Sequence, residues 1–431
     1  MDTFSTLPFL VGANTTYTLI IAASAVIIIS FIFGEFSKKT SIPSVLMLII
    51  LGIVANIALA DKLGGFDFNS ILPILGTVGL IMIVLEAALE LELKQEKLMP
   101  IAKSMLIAFI GLIASTWAAA LILEHFVPGM TSSSAWLYAT TLSILSSAII
   151  IPSVGDLRPD KKEFHIYEST FSDIMGIMLF YYLSGQLEAQ DDHSTVGFFG
   201  VTLFTIIISL VISYLIVLIF QSIKSHVKLF LLIAVLLLFY SLGKTQHLSS
   251  LLMILIFGLL IANMKLFFFG PLKKYLNYKE AHHIYEGLHV ITMETAFVIR
   301  TFFFVIFGIT IVLSSLFNLQ VAFISGVIIL SIYIIRYFIL RAFIGQDILP
   351  QLFIAPRGLI TILLFYDIPK EAEIAGFEPG ILLWTIIGTS LIMTAAMIYD
   401  KNRGGKAVKN AENAPVGYRR WEAPSVVVEE E

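Results

Sequence analysis

Two carboxylates, Glu168 and Asp173, stand close together in the segment Glu-Ser-Thr-Phe-Ser-Asp. They open an apolar stretch from about Phe164 to Gln186, so both fall at a depth where a bilayer offers hydrocarbon rather than water. A carboxylate placed there costs about 2.5–3.5 kcal/mol on insertion scales. It persists only if something neutralises it, and three neutralisers are available: a proton, a metal cation or a buried basic side chain. The first two are the chemistry of an ion or proton pathway, which is the default reading of an intramembrane acid. The third is a structural ion pair or an inter-helix hydrogen bond.

Other polar residues lie at similar depth. The segment Leu142–Ser153 carries Ser143, Ser146 and Ser147 at its centre and Pro152 near one end. A second segment reads Ile-Ala-Pro-Arg-Gly from Ile354 to Gly358, where Pro356 disfavours helix at Ala355 and Gly358 loosens the other side. Broken backbone in two such segments supplies free carbonyls, and with the hydroxyls of Ser146 and Ser147 these suit a cation held beside Asp173. Three arginines fall inside apolar segments. Arg336 matches Glu168 in depth, and Arg300 matches Glu86; both are candidate architectural pairs. Arg357 sits in the second break, where it faces the negative ends of half-helices. Glu90 and Lys94 form an i,i+4 pair of the kind found on a solvated face. His282, His283 and His289 read as headgroup-level residues, with pH sensing as the alternative. Phe302–Phe304 and Phe267–Phe269 read as packing.

Positioning these groups requires membrane-spanning helices. The chain has 431 residues, 58% of them hydrophobic and 13% charged, with a mean hydropathy of +0.92; a soluble domain carries about 25% charged residues. Thirteen apolar spans are expected, near Tyr17–Gly34, Pro43–Ala60, Leu72–Leu91, Ile101–Leu123, Trp136–Val154, Phe164–Gln186, Phe198–Phe220, Leu229–Gly243, Leu248–Met264, Val290–Leu313, Val321–Leu340, Leu349–Tyr366 and Gly380–Tyr399. The eighth and ninth are short, and merging them is the alternative. If the N-terminus is outside, the inner loops hold most of the Lys and Arg, and the outer loops hold only Lys62, Lys244 and Lys370. That bias predicts an external N-terminus and a cytoplasmic C-terminus. Met1–Asn14 has no basic residue and reads as uncleaved. Lys273–His289 reads as an interfacial amphipathic segment, and residues 401–431 as a disordered tail. Thirteen spans divide into six, a linker and six, so that spans seven apart correspond and the two broken segments, five and twelve, become partners in an inverted repeat. There is no cysteine, phosphate loop, metal cluster or hydrolytic triad, and basic residues are dispersed. An enzyme, a cofactor and a nucleic-acid partner are not expected; membrane lipid is.

Taken together, Glu168-Ser-Thr-Phe-Ser-Asp173 resembles the Glu-Ser-x-x-Asn-Asp motif of the cation:proton antiporter superfamily, especially its NhaP-like sodium/proton exchangers. Ala355-Pro-Arg-Gly358 resembles the x-x-Arg-Gly of their broken twelfth helix, and Leu85-Glu-Ala-Ala-Leu-Glu-Leu91 is similar to a Gly-Leu-Glu-Leu pattern in their third. The resemblance implies an all-α antiporter fold of two inverted repeats with crossing broken helices. It implies a membrane domain over 1–400, with a mobile core bundle (about 101–186 and 321–399), a scaffold that forms a homodimer (about 17–91 and 229–313) and a linker helix (about 198–220). Asp173 falls on the ion-binding aspartate, and Glu168 and Arg336 on the structural pair. Ser172, Ser146 and Ser147 would complete the shell. The implied function is exchange of a monovalent cation for protons in the cell membrane, contributing to pH homeostasis. Na⁺ is the expected cation, with Li⁺ as a further one. Two departures stand out: Ser146-Ser147-Ala148 replaces the usual Thr-Asp-Pro, and Ser172 replaces the usual Asn or Asp. With no second carboxylate at 172, one proton per cation and electroneutral exchange are expected. The alternatives are a K⁺/H⁺ antiporter or K⁺ efflux system of the same superfamily, and a non-transporting membrane scaffold or sensor.

Overall fold

In hydrocarbon every backbone N–H and C=O must be satisfied within the protein, so a chain this apolar spans as helices or as a closed barrel. The structure, a computed structural model, describes residues 15–412 apart from 41, 64–67, 92, 94–96, 156, 189–194, 224, 226–227, 247–249, 269–273 and 312–316. Its regular elements are helical. In chain order they are α1 (Thr15–Thr40), α2 (Ser44–Leu63), α3 (Phe68–Glu90), α4 (Leu98–Phe126), α5 (Ser132–Ser143), α6 (Ser147–Ser153), α7 (Pro159–Glu188), α8 (Thr195–Phe220), α9 (Lys228–Thr245), α10 (Ser250–Ala262), the single turn α11 (Met264–Phe267), α12 (Tyr278–Thr310), α13 (Leu319–Phe343), α14 (Leu359–Tyr366) and α15 (Gly380–Glu412). Among the described residues, eight are long and apolar enough to cross a membrane, the broken α5–α6 unit counting as one.

Each expected span coincides with a helix or a broken helix. Spans eight and nine are the separate helices α9 and α10, so the merged alternative does not occur. The amphipathic segment before the tenth span joins it in one helix: Asn277 caps α12 by accepting from the Glu280 N–H, and the helix runs unbroken to Thr310. Adding residues to an existing helix is easier than nucleating a second one. One boundary differs from the sequence reading: α15 continues past Lys401, where the disordered tail was expected to begin, to Glu412, by the same propagation. Met1–Asn14, Lys94, Phe269, Lys273 and residues 413–431 lie outside the described residues.

The helices pack in two groups. α4, α5, α6, α7, α13, α14 and α15 pack on one another, and so do α1, α2, α3, α8, α9, α10 and α12. Lipid tails are as apolar as Leu, so close packing and hydrogen bonds hold such groups together more than water exclusion does. The second group shows both. A Cβ on Gly52 would lie 2.2 Å from the Val305 carbonyl oxygen, and one on Gly308 would lie 2.4 Å from that of Ile49, so α2 and α12 touch backbone to backbone. Ser30 and Thr301 share a 2.6 Å hydrogen bond between α1 and α12. Asn263 accepts from the Leu93 N–H and donates to the Leu91 carbonyl, tying the end of α10 to the end of α3. The two groups meet along a narrower seam, where α3 and α10 face α7, and α3 faces α14.

Candidate functional site

The two broken segments cross inside the first group. α5 ends at Ser143, and the chain is extended at Ile144 and Ser146 before α6 begins. Its partner passes from a 3-10 turn at Gln351–Phe353 through a non-helical stretch to α14. Breaking a helix leaves carbonyls and N–H groups without partners, and here the two breaks supply each other. The Ser146 N–H donates to the Pro356 carbonyl at 2.9 Å. Gly358 lies so close that a Cβ there would fall 2.4 Å from the Ser146 hydroxyl oxygen, so glycine permits the crossing. Ser172 of α7 accepts from the Leu145 N–H at 3.0 Å.

Arg357 completes the junction. It is fully buried, and its Nε donates to the Leu142 carbonyl at 2.8 Å while Nη1 donates to the Ala355 carbonyl at 3.2 Å. Its backbone N–H donates to Thr389 Oγ1 of α15. The guanidinium thus takes up the Leu142 carbonyl, which a continuous α5 would have bonded, and the Ala355 carbonyl of the second break, and its charge opposes the negative end of the α5 half-helix.

The two carboxylates of α7 meet different environments. Glu168 accepts from Arg336 Nη1 at 2.7 Å and Nη2 at 2.8 Å, a bidentate pair. Arg336 also donates from Nε and Nη2 to the Gln351 carbonyl, which holds the start of the second break. Asp173 is equally buried, at 2% exposure. The Ser147 hydroxyl and backbone N–H at the start of α6 are directed to it, but neither of its oxygens closes a well-formed hydrogen bond with them or with any other described residue.

The neighbours Ser172 and Asp173 open into separate cavities, because successive helix residues point about 100° apart. Asp173 opens into a cavity of about 20 Å³ in the seam, walled by Ile83, Val84 and Ala87 of α3, Leu251 and Leu255 of α10 and Ile360 of α14. Ser172 lines a cavity of about 30 Å³ within the first group, together with Glu168, Arg336 and Arg357. The structure therefore brings Ser147 to Asp173, places Ser146 in the crossing, and turns Ser172 away from the Asp173 cavity.

Elsewhere, Arg300 meets Glu86 through one 3.4 Å contact between α12 and α3. His282 and His289 stack with Tyr278 and Tyr285 along one face of α12, and His282 lies 3.4 Å from Glu286. Sequence reasoning missed His165, which is fully buried with Nδ1 at 3.3 Å from Glu168 Oε2; its i,i+3 spacing from Glu168 was the available signal. It also missed the carbonyl of Gln351 and the hydroxyl of Thr389, which are fixed by non-local contacts.

Comparison with known proteins sets this geometry in context. Residues 23–398 match the family described as "Sodium/hydrogen exchanger, transmembrane". A search of curated proteins found no match. Among solved structures, the sodium proton antiporter MjNhaP1 from Methanocaldococcus jannaschii at pH 8 is similar at 18% identity and a TM-score of 0.66, over 90% of this chain and 99% of that one. An electron-microscopy structure of the same antiporter gives 16% identity and a TM-score of 0.64, over 95% and 100%. At such identities the structural likeness speaks for the fold, and the family match covers nearly all of the helical part. Apolar helices, two crossing breaks and a buried acid beside them are thus the frame of an integral membrane transporter, and the chain belongs to the transmembrane sodium/hydrogen exchanger family.

Proposed function

We propose that this protein is a secondary antiporter exchanging one Na⁺ for one H⁺, with Asp173 as the shared site. The observation that carries the reading is the Asp173 carboxylate: buried, without a hydrogen-bond partner among the described residues, and set beside the crossing on the seam between two helix groups. An isolated carboxylate in an apolar cavity must be neutralised. A proton or a monovalent cation does so with no charge left over, whereas a divalent cation would leave an excess positive charge in the same apolar walls. A cavity of about 20 Å³ is room for roughly one water-sized occupant. Proton and cation therefore compete for one place, and that competition is exchange.

Around Asp173, the Ser147 hydroxyl and nearby carbonyls serve as neutral ligands. Glu168 takes no part, because Arg336 already holds both of its oxygens. Alternation follows if the group containing α7 and α14 moves against the group containing α3 and α10, since these walls enclose the site. The excess of Lys and Arg in alternate loops supports an external N-terminus and cytoplasmic C-terminus. A homodimer through the second group is part of the same reading.

The test is proton flux in proteoliposomes driven by gradients of Na⁺, Li⁺ or K⁺. Na⁺-driven flux in the wild type that vanishes in Asp173→Asn is the expected result. K⁺-driven flux alone would reassign the cation within the family. Absence of flux with all three would sink transport and leave a membrane scaffold or sensor.

A further inference from the structure

A second cavity lies in the same seam, two turns of α7 beyond Asp173. Along α3 the lining moves from Val84 and Ala87 to Thr77 and Leu80; along α7 it moves from Asp173 to Tyr181; along α14 it moves from Ile360 to Leu363 and Tyr366. Asp173 and Tyr181 are eight residues apart, about 12 Å along a helix, so the two cavities are successive chambers of one interface. The second is larger, about 60 Å³. It is also polar where the first is apolar, with Thr77, Tyr181, Tyr240 and Asp367 on its walls.

At its mouth, groups from both sides of the seam converge. Tyr181 donates its hydroxyl to Asp367 Oδ2 at 2.6 Å, and both belong to the α7–α14 side. From the other side, Lys244 in the last turn of α9 brings Nζ to 3.7 Å from the same Oδ2 and to 5.0 Å from the Tyr181 ring centroid. The ammonium thus sits over a carboxylate and an aromatic face, where any small cation passing along the seam would be drawn. It also bridges the two surfaces that must part for a cation to pass.

We propose that Lys244, clasped to Asp367 and Tyr181 across the seam, closes the cation path from Asp173 at this end. The proposal rests on Asp173 being the ion site. Its release uncovers the 60 Å³ chamber and leaves the Asp367 carboxylate free to receive a cation. The contact is half-exposed, at 53% for Lys244 and 41% for Asp367, so breaking it shifts the closed–open balance modestly, by up to about fivefold. A weak clasp suits a gate that opens in every cycle.

The chain has no cysteine, which allows a direct test. Leu80→Cys places a thiol on the buried floor of this chamber. The full-length protein in lipid nanodiscs is labelled with a membrane-impermeant thiol reagent. Lys244→Gln and Asp367→Asn, each added to Leu80→Cys, are expected to raise the labelling rate about three- to fivefold. The swap Lys244→Glu with Asp367→Lys is expected to return it to within about twofold. A rate unchanged by Lys244→Gln overturns the clasp. Should Leu80→Cys fail to fold, Leu363→Cys on the opposite wall gives the same comparison. Labelling requires no transport, so the two readings fail separately: exchange that survives Asp173→Asn sinks the ion site, while the labelling rates decide the clasp.

Discussion

Glu168 and Asp173 share a helix, an acidic group and near-complete burial, at 1% and 2% exposure. They differ in company. Both oxygens of Glu168 are held by a guanidinium that also secures the Gln351 carbonyl. Asp173 has apolar walls and a serine that does not close a hydrogen bond. On the proposed reading, burial does not separate a structural acid from a functional one; the number of committed partners does. A carboxylate with two bonds to Arg is worth most if nothing ever leaves, whereas a carboxylate that must release its occupant on every cycle has to be left unpaired by the protein.

The largest expected effect breaks the Asp173 side of this contrast. Asp173→Asn keeps shape and removes the charge, so cation-driven proton flux is expected to fall to the protein-free background while the melting temperature stays within about 2 °C of wild type. For a chain of this size that range corresponds to a stability change of about 2 kcal/mol at most. Wild-type flux in the purified variant would refute the assignment.

On the Glu168 side the expectation inverts, with stability rather than chemistry at stake. Glu168→Ala strands Arg336 in the interior and is expected to cost about 3–5 kcal/mol. Adding Arg336→Ala removes the stranded charge, so the double variant is expected to be less destabilised than the sum of the singles. A thermal-melt cycle that adds strictly would show that the 2.7 and 2.8 Å contacts carry no coupling.

How far this contrast could be read without the structure depends on range. Helix number came from hydropathy, because a span must be apolar throughout wherever it packs. Glu168 and Arg336 could be matched because depth in a membrane is a coordinate shared by distant segments. The orientation of Ser172 could not. It follows from where α7 meets the Leu145 N–H, and that follows from a crossing fixed by the Ser146 to Pro356 hydrogen bond, more than two hundred residues apart in sequence. His165 was legible in principle, three residues before Glu168 on the same face, but a histidine near the end of a span also reads as a headgroup contact.

A smaller effect concerns the aqueous end of α7. Lys161 Nζ donates to Asp347 at 2.8 Å, with Arg158 at 3.4 Å from the same carboxyl. The Lys161 hydrogen bond holds that carboxyl below the usual carboxylate range. With the folded value depressed, the stabilisation is present above the ordinary value of about 3.9 and is lost as pH falls through the depressed one. Asp347 is 65% exposed, so the loss is expected to be about 0–1 kcal/mol. Melts of wild type and Asp347→Asn between about pH 5 and 3 should converge at the acid end; a gap that widens on acidification would reverse the sign of this account.

The smallest expected effect is none at all, and it is the most demanding test of the contrast. If Glu168 stays committed to Arg336 and position 172 is a serine, Asp173 alone changes its occupant during the cycle. One positive charge then crosses in each direction. A membrane potential does work only on net charge, about 2.3 kcal/mol per elementary charge per 100 mV. Potentials of either sign, set with valinomycin and K⁺ in proteoliposomes, are therefore expected to leave the rate of Na⁺-dependent proton flux unchanged. Acceleration by one polarity and slowing by the other would reveal a second titrating group. Two stand in contact on α7, His165 with its ring nitrogen 3.3 Å from Glu168, and Glu168 itself. His165→Asn in the same assay would separate them. Restored indifference to potential would assign the extra proton to the histidine and keep Glu168 structural; persistent sensitivity would move Glu168 to the functional side and remove the distinction between the two acids.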